Sequence, residues 1–204
     1  LIIKDYAEKY PNIIKPIFQH ENQYSKGKDI KREFIFPLVQ GEYIAVCEGD
    51  DYWCDETKLQ KQVDFLENNP EYIACAHDTE IIEMSSGKKR RMFNNDEDHD
   101  ISLENIVSGN FFHISSVMYR SKVINTFPPF FEKAKSFGDV PLALNLYING
   151  RIRYLGKVMS VYRHGTQGSW SYRNEYDMHS RVNSYQQYID MLKSFNDYTC
   201  FKYN

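Results

Sequence analysis

The first 78 residues alternate between helical and strand-like patterns of apolar positions. Ile2, Ile3, Tyr6 and Tyr10 recur at spacings of three and four, which predicts that the chain opens within an amphipathic helix. Two further helices are predicted over 30–41 and 56–67, and strands are predicted over 12–19, 43–47 and 71–78. Helices and strands in alternation are typical of an α/β fold with a parallel sheet and crossover helices.

The rest of the chain has a less regular pattern. Residues 79–93 predict a hairpin, and the acidic residues 94–100 predict a solvated loop. Ser102 and Asn105 form a capping-box pair at the start of a short helix. The remaining predictions are a strand over 111–120, a helix over 140–150, a strand or hairpin over 151–163, a glycine-rich loop over 164–171 and an amphipathic helix from about residue 174.

Three acidic residues, Glu48, Asp50 and Asp51, directly follow the predicted strand 43–47. In parallel sheets, ligands bind beyond the carboxyl ends of the strands. Carboxylates this close repel one another, and water or a cation must offset the repulsion. One interpretation is a solvated turn whose Asp55 caps the next helix. The other is a site for a hard divalent ion, Mg²⁺ or Mn²⁺.

The composition fits one substantial globular domain, or one domain with a small appendage. The chain has 204 residues, of which 42% are hydrophobic and 26% are charged. Its net charge of −3 gives no sign of a nucleic-acid partner or a membrane footprint. The unusual feature is the content of 16 Tyr and 13 Phe, rings that can supply a core or line a groove for a polar organic ligand.

The four cysteines, Cys47, Cys54, Cys75 and Cys200, have no C-x-x-C spacing, so neither a zinc ribbon nor a redox motif is indicated. Cys47 and Cys75 lie inside apolar runs and are typical of small core residues, which favours a reducing compartment. No signal peptide or bilayer-spanning apolar run is recognisable. The chain has no initiator Met and opens inside a predicted helix, so we expect its beginning to be missing.

Several blocks of the chain, in the same order, resemble family 2 glycosyltransferases. The segment GEYIAVCEGDDYWCDETKLQKQVDFLENNPEYIACAHD, residues 41–78, resembles the family's D-x-D segment. HENQYSKGKDI, residues 20–30, resembles its E-N-x-G loop, and residues 138–171 resemble the block with the catalytic aspartate. The resemblance implies the α/β, Rossmann-like GT-A fold: a mostly parallel sheet flanked by helices, with a C-terminal helix.

The resemblance also implies a domain organisation. Residues 1–173 would form the GT-A glycosyltransferase domain, and residues 174–204 a C-terminal helical extension packed on the same domain. The family's first strand and its Asp-rich turn, which binds the nucleotide base, have no counterpart in this sequence. We therefore expect the domain to be N-terminally incomplete.

Carried over residue by residue, the family's motifs imply a donor site. Asp50 would hold Mn²⁺ or Mg²⁺ on the donor diphosphate, while Glu48, in place of the family's first Asp, would contact the donor or the second shell of the metal. Asp51 would orient donor hydroxyls. His164 lies near a family His that helps to bind metal or diphosphate; a solvated loop His is the alternative. Trp170 would close over the donor or pin its loop to the core.

Asp139 lies where the family keeps its general base, although an isolated Asp before a helix is also a common N-cap. Ser115 and Ser116 line the acceptor site in one interpretation and form a structural hydroxyl pair in the other. The implied reaction is inverting transfer from a nucleotide-diphospho-sugar donor to a hydroxyl of a glycan or lipid-linked acceptor, in surface polysaccharide or glycoconjugate synthesis. The expected setting is the cytoplasm or the inner face of the membrane, with peripheral membrane contact left open.

Other functions stay open at this point. A non-catalytic nucleotide-sugar-binding relative, or a truncated fragment, would carry the same motifs. A phosphotransferase or nucleotidyltransferase would need a glycine-rich phosphate-binding loop. The basic residues 25–32 do not have the residue spacing of such a loop. Neither acidic segment has the EF-hand arrangement. Cys75 and His77 face the same side of a predicted strand, but two ligands alone do not make a zinc site.

Overall fold

The computed structural model describes residues 2–166, 169, 171–172 and 177–203. The chain divides into two compact units, Leu1–Gly41 and Glu42–Asn204. The predicted boundary at residue 173 is a different division of the chain, and it stays a prediction. In the part of the chain that is described, no helix has both the length and the apolar character needed to cross a membrane.

The first unit contains helix α1 at Ile2–Lys9, which confirms the predicted opening helix. Three short turns follow: 3-10 at Tyr24–Lys26, π-helical at Lys31–Ile35 and 3-10 at Phe36–Leu38. The strand predicted over 12–19 is wrong, because these residues form a turn and irregular backbone. Pro16 lacks the N–H group that a strand ladder uses. No side chain described in this unit is buried, and the apolar face of α1 is exposed.

The second unit contains the sheet. Its strands are β1 Tyr43–Ala45, β2 Tyr52–Trp53, β3 Tyr72–Glu83, β4 Lys89–Arg91, β5 His99–Asp100, β6 Met118–Arg120 and β7 Arg151–His164. Its helices are α2 Lys58–Asn68, α3 Leu103–Val107, α4 Asp139–Asn149 and α5 Met178–Tyr198. Short 3-10 helices lie at Ile114–Ser116, Ser121–Asn125 and Pro129–Lys133. The predicted helices over 56–67 and 140–150 are confirmed within two residues, as α2 and α4.

The seven strands form one sheet with the order β1-β6-β3-β7-β2, to which β4 and β5 add by pairing with β3 and β7. The α/β class, a sheet flanked by helices and followed by a C-terminal helix, is confirmed. The direction of most strands was predicted wrongly: the sheet is mixed, with β3 and β7 parallel and the other described pairs antiparallel. The hairpin predicted over 79–93 is confirmed, because the turn at residues 84–88 joins β3 to β4 as an antiparallel pair.

Strand β3 lies at the centre of the sheet and separates two apolar clusters. Ala74 and Ala76 face the larger cluster, which includes Leu144 of α4 and Phe195 of α5. Cys75 faces the smaller one, beside Leu66 of α2. Successive residues of a strand point to opposite faces, so each face of β3 is covered by helices. Because both faces of β3 are packed against apolar side chains, the two ends of β3 are held in fixed positions.

The acidic residues 94–100 dock onto β7 instead of forming only a solvated loop. Two residues of β7 bulge out of the ladder, since His77 pairs with Leu155 and Asp78 with Val158. The bulge exposes the N–H of Gly156, which donates to Asp98 Oδ1 over 2.9 Å. A β-carbon on residue 156 would overlap the backbone carbonyl of Asp96. Glycine is therefore needed where the two backbones meet.

Gly156→Ala is expected to lower the free energy of unfolding by about 2–4 kcal/mol, because the clash must displace backbone and not a flexible side chain. Urea titration followed by circular dichroism measures it. Gly49→Ala is the matched control, since a β-carbon there meets nothing within 4 Å, and a change below about 1 kcal/mol is expected. Equal stabilities of the two variants would contradict the close approach.

Candidate active site

The turn after β1 carries the three acidic residues and is held by β7. The N–H of Asp51 donates to the carbonyl of Glu48 over 3.1 Å, which places Gly49 and Asp50 at the tip of the turn. The backbone N–H of Arg163 donates to Asp51 Oδ1 over 3.1 Å, and its guanidinium donates to the carbonyl of Asp50. The acidic turn is thus fixed in place by the end of a strand far away in the sequence.

The side chain of Asp51 is only 1% exposed, yet its Oδ2 has no hydrogen-bond partner among the described residues. Burial raises the pKa of this carboxyl to about 6, although the hydrogen bond from Arg163 opposes the shift, and the neighbouring charges of Asp50 and Glu48 add to it. A buried carboxylate oxygen without a hydrogen-bond partner destabilises the folded state. The position therefore suits a group that brings positive charge.

His113 lies across from this oxygen, with its Nδ1 3.9 Å from Asp51 Oδ2. Its ring stacks on Tyr162 of β7, with 4.3 Å between the ring centroids. Burial lowers the pKa of His113 to about 4, so the imidazole is neutral at pH 7. Ligand atoms of Glu48, Asp51 and His113 all lie within 4.8 Å of one another and could hold a metal ion. We call these three residues the acid–histidine group.

The acid–histidine group differs from the metal ligands predicted from the sequence, which were Asp50 and His164. Asp50 lies at the tip of the turn, beside the group. His164 ends β7 and pairs through Nδ1 with Glu83 Oε2 over 2.7 Å, because Glu83 is its register partner on the parallel strand β3. Neither residue is a member of the group, and metal binding by Asp50 and His164 stays a prediction.

Asp139 is the first residue of α4, and its Oδ1 accepts the N–H of Val140 over 2.9 Å. Its negative charge helps to raise the pKa of Tyr188 on α5, although burial is the larger cause. Gly138 is the N-cap of α4, and a capping side chain accepts the N–H two or three residues further on, so this bond between adjacent residues is not a capping bond. The role of Asp139 as general base stays a prediction. Trp170, predicted to bind the donor, lies outside the described residues.

Ser115 and Ser116 are fully buried, so no acceptor could touch their side chains in this conformation. The hydroxyl of Ser116 donates to the carbonyl of His113 over 2.7 Å, and the Oγ of Ser115 lies 2.8 Å from His113 Nδ1. These contacts favour the structural interpretation of the serine pair. Acceptor binding by the two serines stays a prediction, and the geometry does not support it.

A buried polar cluster supports the turn that follows the histidine. The indole N–H of Trp53 donates to the carbonyl of Ser115 over 2.9 Å, and the amide of Gln62 donates to that of Ser116 over 2.9 Å. The ammonium of Lys58 donates to Gln62 Oε1 over 2.7 Å and lies 4.3 Å from the centroid of the Trp53 ring. Burial lowers the pKa of Lys58 to about 8. Strand β2 and helix α2 thereby fix the same turn that carries the imidazole.

His113 was missed in the sequence because residues 111–120 look like one continuous strand. In the structure β6 covers only Met118–Arg120, and the preceding residues form a 3-10 turn that begins after His113. The signal that could have found it is the HISS run, in which a His and two Ser interrupt an otherwise apolar segment. Polar residues in such a segment are expected to be hydrogen-bonded or to face a site.

Comparisons with curated proteins and with family models both gave matches. Three curated relatives, one from Mycobacterium bovis and two from strains of Mycobacterium tuberculosis, are described as uncharacterized proteins. Each is 31% identical to this chain over 180 residues, which are 83% of this chain and 47% of the relative. The chain thus spans about half the length of the curated relatives it matches. The model of the family named Glycosyl transferase family 2 matches residues 1–127, well over half of this chain, and the chain belongs to that family.

Proposed function

We propose that this protein is a metal-dependent, inverting glycosyltransferase. It moves a sugar from a nucleotide-diphospho-sugar to a hydroxyl of a glycan or lipid-linked acceptor, in surface polysaccharide or glycoconjugate synthesis. The observation that carries the proposal is the buried Oδ2 of Asp51, which has no hydrogen-bond partner among the described residues and faces His113 in a chain that belongs to the family. Asp51 stands at the carboxyl end of β1 and its turn, where ligands of α/β sheets bind.

The acid–histidine group fits a divalent cation. Two carboxylates and a neutral imidazole bring two negative charges, and a cation would give the buried Oδ2 of Asp51 the partner it lacks among the described residues. Carboxylate oxygens suit Mg²⁺ and Mn²⁺, while an imidazole ligand favours Mn²⁺ over the harder Mg²⁺. We therefore assign Mn²⁺ as the preferred ion. When bound, such an ion offsets the charge that develops on a departing diphosphate.

The chain's own residues supply the remaining chemistry. Glu48 is exposed at the mouth of the group and is suited to contact the donor, as is Asp50 beside it. Asp139 takes the proton from the acceptor hydroxyl as that hydroxyl attacks C1 of the sugar, a role that a carboxylate within hydrogen-bond reach can perform. A carboxylate has about four lone-pair sites, so accepting the N–H of Val140 is compatible with this second task. Attack opposite the leaving group gives inversion at C1.

The test is an assay of nucleoside diphosphate release and sugar transfer with a panel of nucleotide sugars, on the protein as the cell makes it. We expect activity with one donor, loss of activity in excess EDTA and recovery on addition of Mn²⁺. His113→Ala should raise the Kd for Mn²⁺ about 10- to 100-fold, because it removes a nitrogen from the acid–histidine group.

His164→Ala is the matched control, since it removes the same side chain from a residue that pairs with Glu83. It should leave the Kd for Mn²⁺ within about threefold of the wild-type value. The reverse pattern, with His164 essential and His113 dispensable, would restore the assignment predicted from sequence. Donor binding without any transfer would favour the non-catalytic alternative, and transfer that resists EDTA would remove the metal from the proposal.

A further inference from the structure

The segment that leads into α4 is held by α5, although the two are far apart in the chain. The backbone N–H of Ser136 donates to Oε1 of Gln187 over 2.8 Å, across 51 positions of sequence. The next residue of α5, Tyr188, packs its ring on Phe137, with 6.0 Å between the ring centroids. Two neighbouring residues of α5 thus contact the residues that lie three and two positions before Asp139.

Tyr188 also links a second helix to the surroundings of Asp139. Its hydroxyl donates to the carbonyl of Val107, the last residue of α3, over 2.7 Å. Burial raises the pKa of Tyr188, and the negative charge of Asp139 adds to the rise, so the phenol lies within electrostatic range of that carboxylate. The ring of Tyr188 is therefore fixed by α3 at its hydroxyl, and it lies against the segment that carries Asp139.

The start of α4 has little in its own sequence to hold it in place. Its N-cap is Gly138, which has no side chain to accept a backbone N–H of the first turn. Residues 134–138 form no regular helix or strand, and the bond from the N–H of Leu142 to the carbonyl of Gly138 is long, at 3.3 Å. The position of Asp139, the first residue of α4, therefore depends on what the preceding segment contacts.

We propose that Gln187 and Tyr188 are positioning residues for Asp139, so that helix α5 sets the place of the general base. They act through Ser136 and Phe137 and contact neither the donor nor the metal ion. The inference rests on the proposed function, because it presumes that Asp139 accepts the proton of the acceptor hydroxyl. A base must lie within hydrogen-bond reach of that proton, and a displacement of about 1 Å can slow a reaction about 100-fold.

Gln187→Leu tests the first contact, because leucine has a similar volume and no atom that can accept the N–H of Ser136. We expect kcat to fall about 5- to 20-fold, while the Kd for Mn²⁺ and for an unreactive analogue of the donor stay within about twofold of the wild-type values. Gln186→Leu is the matched control, since Gln186 donates only to Asp190 of the same helix. It should have the wild-type kcat.

Tyr188→Phe tests the second contact and keeps the inference open to refutation if Gln187→Leu does not fold. The variant loses the hydroxyl that donates to Val107 and keeps the ring that packs on Phe137. We expect kcat to fall about 3- to 10-fold with an unchanged donor Kd. Tyr185→Phe, at a position of α5 that is 66% exposed, is the matched control and should have the wild-type kcat.

A double-mutant cycle with Asp139→Asn separates positioning of the base from a general loosening of the site. If Gln187 acts through Asp139, Gln187→Leu should slow the residual transfer of the Asp139→Asn protein by less than about twofold. Single-turnover transfer measures both rates. Equal slowing by Gln187→Leu in the two backgrounds would overturn the inference, since the effect would not pass through Asp139.

The outcomes also separate this inference from the proposed function. If Asp139→Asn loses transfer while Gln187→Leu and Tyr188→Phe keep the wild-type kcat, the inference is overturned and the proposed base stands. If Asp139→Asn transfers at the wild-type rate, the base assignment and the inference are both overturned. A loss of donor and Mn²⁺ binding in parallel with kcat would overturn the inference alone, because it would show a defect of the whole site.

Discussion

Asp51→Asn is expected to abolish transfer and, at the same time, to stabilise the metal-free protein. The wild-type carboxylate is 1% exposed, and its Oδ2 has no hydrogen-bond partner among the described residues. The negative charge of Asp51 therefore destabilises the folded, metal-free protein. Asparagine keeps the oxygen that accepts the N–H of Arg163 and replaces Oδ2 with a neutral donor. The variant therefore lacks the destabilising buried charge. It also lacks one of the two carboxylates of the acid–histidine group.

The loss of transfer and the gain in stability differ in size and are measured separately. Transfer should fall about 10²- to 10³-fold or more, because a group that stabilises charge at the reacting centre is lost. The free energy of unfolding of the metal-free protein should rise by about 1–3 kcal/mol at pH 7, because burial destabilises the carboxylate that is charged at this pH, while asparagine is neutral. Steady-state kinetics and urea titration in EDTA measure them. Asp64→Asn, at an exposed position of α2, is the matched control and should change neither.

The gain in stability should depend on pH. The folded-state pKa of Asp51 is raised to about 6 from an ordinary value of 3.8. A raised pKa means that the folded state binds a proton more readily than the unfolded chain. The penalty of the charged form is therefore complete above about pH 6 and disappears as the pH falls to about 4. A gap between variant and wild type that stays constant from pH 7 to 4 would contradict the burial of this charge.

Asp139→Asn is expected to lower kcat about 10²- to 10⁴-fold while it leaves the donor Kd almost unchanged. The reason is that Asn cannot accept the proton of the acceptor hydroxyl, yet its side-chain oxygen can accept a backbone N–H as that of Asp does. The hydrogen bond from Val140 should therefore survive the substitution. Transfer kinetics give kcat, and calorimetry with an unreactive donor analogue gives the Kd.

The matched control is Asp177→Asn. Asp177 caps α5 through the N–H of His179, so the variant makes the same chemical change at a helix start that has no assigned role in the reaction. We expect wild-type kcat from it. Transfer by Asp139→Asn at a rate close to that of the wild type would show that Asp139 is not the general base, which would have to be sought elsewhere.

The long elements and the acidic turn could be predicted from the sequence because their signals are local. A continuous apolar run marks β3, and a stripe of apolar residues with a stop at residues 68–70 marks α2. Glu48, Asp50 and Asp51 are neighbours in the chain, so their mutual repulsion is visible without a structure. The alternation of helices and strands in the first 78 residues predicted a parallel sheet, and it did not reveal that β6 runs antiparallel to both of its neighbours.

The rest of the candidate site could not be predicted, because it depends on contacts between distant residues. Which carboxylate of the turn points inward is decided by the N–H of Arg163, 112 positions away from Asp51. His113 becomes a neighbour of Asp51 only through the 3-10 turn, which the apolar pattern of residues 111–120 conceals. His164 has the right residue type, but the parallel register gives it Glu83 as a partner.

The pairing of β3 with β7 also has a kinetic consequence. Thr79 and Ser160, which meet at the centre of this ladder, are 81 positions apart in the chain. Closing a loop of that length lowers the conformational entropy of the chain before the contacts between the strands have formed. Topologies dominated by such distant contacts fold slowly. A nascent polypeptide that still lacks residues 151–164 has no β7 to pair with β3, so the acid–histidine group can assemble only after synthesis has passed Arg163.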